Sequence, residues 1–292
     1  MSHYNRKTFL ELSPEYRDSN QAKFHLLPIP YEGTVCFESG TAGGPDAILD
    51  VSDQMEHLDE ETHRLIYLPG IFTHLPIPPA ESPGQEMDRI AAVVRNGDFF
   101  RPGRFPIFLG GEHSISAPLV GAALEKYPGL SVLQFDAHSD LRDTFPPGGR
   151  YSHASVMRRI LEMTPNIVQV GIRSFSELDL EECPGQVENF ITPAMIEEDF
   201  NASLRLILSR LTDTVYNTVD MDAFDPTCAP GVGTPEPGGL TWRQVTRILR
   251  AVSESKKVIG ADVVETVPLG RGHVVTEFMA ARLVGKIMAY NH

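Results

Sequence analysis

The stretch LSVLQFDAHSD, residues 130–140, places a largely apolar run directly before three alternating polar side chains, Asp136, His138 and Asp140. Apolar runs of this length are typical of strands that are buried on both faces of a parallel sheet. Five other runs share the pattern: residues 24–29, 106–109, 167–171, 215–219 and 257–264. Such runs alternate with Gly- or Asp-bearing turns and stretches of helical periodicity. The alternation predicts an α/β fold with a mainly parallel central sheet.

The helices are predicted from capping residues and from the spacing of apolar side chains. Thr241 and Gln244 form a T-x-x-Q capping box before apolar residues at helical spacing, so a helix should begin there. Further helices are predicted at residues 84–95, 116–126, 153–163, 203–211 and 276–290. Residues 69–83 contain five prolines and show neither the helical nor the strand periodicity of apolar residues, which predicts an extended surface connection. No repeat or linker divides the chain, so residues 1–292 are predicted to form a single domain.

The composition narrows the class of partner. The chain is 41% hydrophobic and 22% charged, which is typical of a soluble globular protein. Its net charge of −14 argues against nucleic acid or an anionic membrane as a partner and favours cationic ligands or metals. Residues 1–10 lack the apolar core of a signal peptide, so a cytoplasmic protein is expected. Cys36, Cys183 and Cys228 are predicted to form no disulfide framework and to pack as small hydrophobic residues.

Polar side chains of two chemical types follow three of the predicted strands. They are His113, Asp136, His138, Asp140, Asp220 and Asp222. Extended backbone has a two-residue period, so side chains at i and i+2 should emerge on one side of a strand. If the strands are neighbours, four carboxylates and two imidazoles converge, and the carboxylates repel one another unless cations are bound. A single D-x-D segment or histidine is explained as well by a turn or by core packing, but the three segments together favour a metal site.

The number and type of these side chains predict the kind of metal site. Six ligands suit two metal ions that share carboxylates better than one ion with an open position. A set of oxygen and imidazole ligands without thiolate favours two Mn²⁺ ions, with Zn²⁺, Fe²⁺ or Co²⁺ as alternatives. Two divalent ions would leave the protein acidic.

Five segments together resemble the ureohydrolase family, which contains arginases, agmatinases and related guanidine hydrolases. They are GTAGGPDAI (residues 40–48), GGEHS (110–114), FDAHSDLRD (135–143), TVDMDAFDPTCAPGVGTPEPGGLT (218–241) and DVVE (262–265). The resemblance implies a three-layer arginase-like fold, a homotrimer or homohexamer, and a binuclear manganese centre. It assigns the metal ligands to the six side chains named above. It also implies that His153, in YSHAS, assists proton transfer or substrate positioning and that Glu265 binds the guanidinium.

Departures from the arginase pattern indicate the substrate subgroup. Arginases hold the amino-acid end of arginine with an asparagine and a Ser-x-Asn-x-His arrangement, whereas this chain has Arg142 and, in the second motif, Gly149 and Tyr151. The LRD and SHASVMRR segments resemble those of bacterial and archaeal agmatinases. The expected substrate is therefore a small cationic guanidine, agmatine, with aminopropylagmatine or a guanidino acid as alternatives.

The resemblance also supplies a hypothesis for the reaction. A hydroxide bridging the two ions attacks the guanidinium carbon, and Asp140 passes a proton to the leaving amine, which releases urea and putrescine. Glu265 holds the guanidinium by charge-assisted hydrogen bonds, and His153 assists proton transfer. The loops 30–44 and 144–152 are expected to face the tail of the substrate. The glycine-rich segment 231–239 lacks phosphate-loop spacing and is predicted to be a shaped active-site loop.

Two other classes of function share part of this pattern. Metallophosphoesterases also place D-x-H at a strand end, but their Gly-Asn-His segment is absent from the sequence. A polyamine-binding protein that has kept the fold without catalysis would be expected to lose at least one ligand position, and all six are present. Urea release from agmatine with Mn²⁺ separates the three classes.

Overall fold

A computed structural model describes residues 7–292. Its central sheet has seven parallel strands in the order β2-β1-β3-β7-β6-β4-β5. The strands are β1 (Phe24–Ile29), β2 (Ile71–Thr73), β3 (Phe105–Gly110), β4 (Ser131–Phe135), β5 (Ile167–Val170), β6 (Thr214–Asp220) and β7 (Lys257–Val264). The predicted parallel sheet is confirmed, and all six strands predicted from apolar runs are present with small differences at their ends.

Within residues 7–292, ten α-helices connect and cover the strands. They are α1 (Gly44–Ser52), α2 (Pro83–Asn96), α3 (Ser116–Lys126), α4 (Val156–Met163), α5 (Glu177–Glu182), α6 (Pro184–Val187), α7 (Pro193–Glu198), α8 (Phe200–Arg210), α9 (Trp242–Ser255) and α10 (Val275–Tyr290). The capping box of Thr241 and Gln244 begins α9 as predicted. The helix predicted at 153–163 opens with a 3₁₀ turn, His153–Ser155, before α4. Helices α1, α5, α6 and α7 were not predicted, and three of these are six residues or shorter.

The sheet lies between two layers of helices, each with its own hydrophobic core. One core joins inward side chains of the strands to α1, α8, α9 and α10, and the other joins the opposite face of the sheet to α2, α3 and α4. This arrangement is the predicted three-layer fold. It explains why the strand sequences are apolar almost without interruption, since both faces of every central strand are covered.

Two sequence predictions were wrong. Part of the segment 69–83 is the edge strand β2, which pairs with β1 through Phe24 and Ile71, and Ile71 is buried. Cys36 does not pack as a small hydrophobic residue but is exposed, whereas Cys183 is buried and Cys228 is half-buried; all three are free. The inference drawn from residues 1–10 lies partly outside the described residues. Among residues 7–292, no helix is long and apolar enough to cross a membrane.

Candidate functional site

Four adjacent strands, in the order β3-β7-β6-β4, deliver the predicted site residues to one edge of the sheet. His113 follows β3, Glu265 follows β7, Asp220 ends β6 and Asp136 follows β4. Parallel pairing keeps the carboxyl ends of these strands level with one another. The edge is where open α/β sheets bind ligands. Strands β3 and β6 are not direct neighbours, because β7 lies between them and contributes Glu265.

The imidazole of His113 forms the centre of a buried acidic group. Its Nδ1 atom lies 3.0 Å from Asp136 Oδ2, 3.2 Å from Asp140 Oδ2 and 3.3 Å from Asp220 Oδ2. All four side chains are more than nine-tenths buried. His113, Asp136 and Asp140 offer ligand atoms close enough together to hold one metal ion.

A second group forms around His138. Its Nδ1 atom lies 2.9 Å from Asp222 Oδ2 and 3.6 Å from Asp136 Oδ1. Asp136, His138 and Asp222 can also hold a metal ion, so Asp136 belongs to both groups. All six predicted side chains are therefore brought together, and the shared carboxylate places the two candidate cation positions side by side.

The hydrogen bonds behind His113 show which of its nitrogens carries the proton. Thr218 donates its hydroxyl to Asp262 Oδ1 at 2.6 Å, so its oxygen accepts from His113 Nε2 at 2.8 Å. Burial alone would lower the pKa of His113, but the three carboxylates raise it well above its usual value. As a metal ligand His113 would be neutral, and its unprotonated Nδ1, which has no hydrogen-bond partner among the described residues, would face three carboxylate oxygens. A lone pair facing three anions is unfavourable unless a cation lies among them.

The pKa shifts of the cluster have the same physical cause. Burial and the charge of Asp136 raise the pKa of the Asp140 carboxyl to about 7. Burial alone would lower the pKa of His138, but the charges of Asp222 and Asp136 raise it to about 12. The carboxylates thus draw positive charge into the cluster. Together with the oxygen and imidazole donors, this behaviour fits divalent metal ions.

Asp140 reaches the cluster through a turn rather than through an extended strand. Strand β4 ends at Phe135, and Asp140 has a φ of 53°, in the left-handed region. Asp222 likewise lies in a 3₁₀ turn after β6. The side chains converge as predicted. The two-residue period of a strand, however, does not account for Asp140 and Asp222, which turns bring to the cluster.

Glu265 has a carboxylate oxygen fixed by the protein. Its Oε1 atom accepts the backbone N–H of His113 at 2.7 Å, and its own φ is 61°. Burial and the charge of Glu112 raise the pKa of Glu265 well above its usual range. A cationic guanidinium beside Glu265 would offset that charge repulsion.

His153 lines the same cavity from the 3₁₀ turn that precedes α4. Its Nδ1 atom lies 3.2 Å from Thr34 Oγ1, and its Nε2 atom lies 3.5 Å from Cys36 Sγ. Burial, then the positive charges of His138 and His113, lower the pKa of His153 to about 4. The side chain is therefore a neutral imidazole at neutral pH.

These groups line a single cavity of about 220 Å³. Val35 and Phe145 show that both loops expected to face the substrate do line the cavity, and Gly233 and Thr234 do so from the glycine-rich loop. A third wall was not predicted from the sequence: it comprises residues 174–176 and Asp179. Asp225 sets a turn, since it accepts from the N–H groups of Thr227, Gly238 and Gly239.

Comparison with known proteins gives the family. Residues 22–290 match the Arginase family. An N(1)-aminopropylagmatine ureohydrolase from a Synechocystis species is 36% identical over 293 residues, which cover 97% of this chain and 94% of that protein. An agmatinase of Bacillus anthracis is 30% identical, with 98% and 96% covered. The solved structure of an agmatine ureohydrolase from Thermoplasma volcanium matches with a TM-score of 0.86 at 29% identity, covering 99% of this chain and 95% of that one.

The chain therefore belongs to the arginase family. Within that family it is a ureohydrolase, an enzyme that hydrolyses a guanidino compound.

Proposed function

We propose that this enzyme hydrolyses agmatine to putrescine and urea with the help of two Mn²⁺ ions. The observation that carries the proposal is the position of Glu265, a carboxylate beside the buried acidic cluster and in the same cavity. A substrate guanidinium bound to Glu265 would place its carbon next to the metal centre. We also propose that the chain assembles as a homotrimer or homohexamer, as its family resemblance implies.

The six predicted side chains would hold the metal ions. His113, Asp136, Asp140 and Asp220 surround one position, and Asp136, His138 and Asp222 surround the other. When bound, such ions lower the pKa of a water molecule toward neutrality and so supply a nucleophile strong enough for the guanidinium carbon.

The protein's own groups would orient the substrate and move its protons. Glu265 Oε2 has no donor among residues 7–292, so it is open to a guanidinium N–H, while Oε1 stays fixed by His113. This hold limits rotation of the substrate and presents its carbon to the nucleophile. Asp140 would carry a proton to the leaving amine. His153 would accept and return a proton at Nε2, the ring nitrogen nearer the thiol at the cavity mouth.

Asp179 supports a substrate with a cationic tail. It lines the cavity, and its Oδ2 atom accepts from Ser139 Oγ at 2.7 Å and from the backbone N–H of Ser176 at 2.8 Å. Its Oδ1 atom is buried without a hydrogen-bond partner among the described residues. A buried carboxylate oxygen without a donor is costly, and the terminal ammonium of agmatine would satisfy it.

Two other substrates each have an observation in their favour. The relative with 36% identity is an aminopropylagmatine ureohydrolase, and this substrate carries the same guanidine on a longer cationic tail. Arg142 also lines the cavity, with its guanidinium 5.0 Å from the ring centre of Phe145, and it would attract the carboxylate of a guanidino acid.

Turnover of four guanidines tests the proposal: agmatine, N1-aminopropylagmatine, 4-guanidinobutyrate and arginine. We expect agmatine to give the highest kcat/KM in urea-release assays with Mn²⁺. Asp179→Asn should lower kcat/KM for agmatine by about 10- to 100-fold, since a charged hydrogen bond is lost, and should not lower it for 4-guanidinobutyrate. If kcat/KM is higher for aminopropylagmatine than for agmatine, aminopropylagmatine is the substrate. If kcat/KM is highest for 4-guanidinobutyrate, the role given to Asp179 is refuted.

The metal assignment is tested separately. His138→Ala and Asp222→Ala should each lose bound manganese, measured by elemental analysis. Each should lose urea release as well. Either variant with wild-type metal content and turnover would refute the ligand assignment.

A further inference from the structure

Glu112, the acidic residue of the GGEHS segment, is fully buried and takes no part in the chemistry proposed above. Its Oε2 atom accepts the backbone N–H groups of Gly33 and Thr34, each at 2.7 Å. Its Oε1 atom accepts the hydroxyls of Thr34, at 2.7 Å, and Ser114. The carboxylate therefore fixes both the backbone and the side chain of the loop that carries Cys36 to the cavity.

The hydrogen bonds of the Thr34 hydroxyl leave it one possible arrangement of protons. A hydroxyl has one proton to donate and two lone pairs with which to accept. Burial raises the pKa of Glu112, but both of its oxygens accept hydrogen bonds, two from N–H groups and one from Ser114, and these favour the ionised carboxylate. The Thr34 proton therefore goes to Glu112. The oxygen accepts the backbone N–H of His153 at 3.1 Å. Its remaining lone pair faces His153 Nδ1 at 3.2 Å, a shorter contact than the 3.4 Å between Nδ1 and Ser152 Oγ, so we assign Nδ1 as the donor to Thr34.

A neutral imidazole has a single N–H, so a proton on Nδ1 leaves Nε2 with a free lone pair. The hydrogen bond made by one ring nitrogen thus decides the state of the other. Nε2 lies 3.5 Å from the Cys36 thiol, which can donate to that lone pair. The ring of Phe145 packs edge-on against the imidazole, with 5.7 Å between ring centres, and holds its plane.

We propose that Glu112 and Thr34 are positioning residues for catalysis: through the chain Glu112–Thr34–His153 they fix the Nδ1–H tautomer of His153 and keep Nε2 unprotonated at the cavity. This inference rests on the proton-transfer role that the proposed function gives to His153. In the other tautomer Nε2 would carry a proton and could not accept one. The sequence gives no sign of this series of hydrogen bonds, because Thr34 lies 78 residues from Glu112 and 119 residues from His153.

Neutron diffraction from crystals of the manganese-loaded enzyme grown in D₂O tests the tautomer directly. We expect deuterium on His153 Nδ1 and none on Nε2. Deuterium on Nε2 alone overturns the proposal. The position of the deuteron is read in the resting enzyme, so it is decided even if no guanidine is hydrolysed, whereas absence of urea release refutes the proposed function instead.

Two substitutions test the positioning role. Thr34→Val removes the acceptor of Nδ1–H at nearly constant volume and should lower kcat by about 10- to 100-fold, the order of a general acid–base contribution. KM and manganese content should stay within twofold of wild type. Thr34→Ser keeps the hydroxyl and should restore most of the turnover. Thr246→Val, which removes a buried hydroxyl on α9, is the matched control and should retain wild-type kcat.

The outcomes are exclusive. A kcat loss in Thr34→Val that Thr34→Ser reverses, with metal content unchanged, supports the proposal. Wild-type kcat in Thr34→Val overturns it, and so does loss of manganese in that variant, because Thr34 would then act on the fold or the metal site rather than on His153.

Discussion

Asp140 and Glu265 both have positive φ angles, 53° and 61°, although neither is a glycine. Such conformations cost roughly 1–3 kcal/mol each and persist only where the surrounding structure enforces them. Here each one directs a carboxylate into the cavity, and the backbone of Glu265 is fixed by donation to Gly111 O at 2.8 Å. The strained positions at this sheet edge coincide with the two carboxylates to which the proposed reaction gives a direct part.

Glu265→Gln tests whether this carboxylate binds the guanidinium. The amide keeps an oxygen to accept from the His113 N–H, so the fold and the manganese content should not change. Loss of the negative charge should raise KM for agmatine by about 10- to 100-fold, because a charge-assisted pair becomes a neutral hydrogen bond. Steady-state kinetics and elemental analysis measure the two effects. Reduced manganese with unchanged KM would assign Glu265 to the metal centre instead.

Thr218→Val tests the hydrogen bonds behind His113. The substitution removes the oxygen that accepts from His113 Nε2, and partners of this kind contribute about 10- to 100-fold to metal affinity. We expect manganese affinity, measured by competition with a chelator, to fall by that factor. Thr218→Ser keeps the acceptor and serves as the control. Equal affinity in the Val and Ser variants would show that the hydroxyl does not support the ligand.

The residues that could be predicted from the sequence are those whose placement follows from their position in one strand. His113, Asp136 and Asp220 each come at the end of an apolar run, so the parallel sheet suffices to bring them together. Asp179 is different, because its role depends on Ser139, which lies 40 positions earlier in the chain. Contacts between segments so far apart leave no local pattern.

The edge strand β2 could not be predicted from local sequence either. It has three residues, it lies among prolines, and only its pairing with β1 makes it a strand. By contrast, β1 and β7 were predicted with their full bounds, since each is long, apolar and buried on both faces. Short elements depend on tertiary partners, whereas central strands and the capped helix α9 carry their own signals.

The pairing of β1 with β2 brings together two imidazoles that should make the protein sensitive to acid. His25 is fully buried; its Nε2 donates to Ala22 O at 3.2 Å, so its Nδ1 accepts from His74 Nε2 at 3.0 Å. Burial, then the charge of Arg104, lower the pKa of His25 to about 3. Protonation of Nδ1 would break the bond to His74.

This depressed pKa sets the pH range of the effect. Between pH 6.5 and about 3 the unfolded chain binds a proton at His25 and the folded protein does not, so the free energy of unfolding falls as the pH falls through that range. The loss is of the order of a few kcal/mol. His25→Gln should flatten this part of the curve in urea titrations at several pH values, while the exposed His273→Gln should not. Parallel curves for wild type and His25→Gln would contradict the assignment.

At the scale of the whole molecule, the fold concentrates negative charge at one edge of the sheet. The protein carries a net charge of −14, and four of its buried carboxylates meet where β6 and β4 end. Carboxylates from two strands thus repel one another at this edge of the sheet. Cations bound there would turn this repulsion into attraction and link the strands to one another.

Removal of the metal should therefore lower the stability of the entire protein. An ion at 100 times its Kd stabilises the folded state by about 2.7 kcal/mol, and each kcal/mol corresponds to roughly 2–4 °C in a domain of this order of size. We expect addition of excess Mn²⁺ to the chelator-treated protein to raise Tm by about 5 °C or more in calorimetry. Asp222→Ala should lose most of that shift, while Asp225→Ala, which alters only the nearby turn, should retain it. An unchanged Tm on metal addition would mean that the carboxylate cluster does not bind the ion.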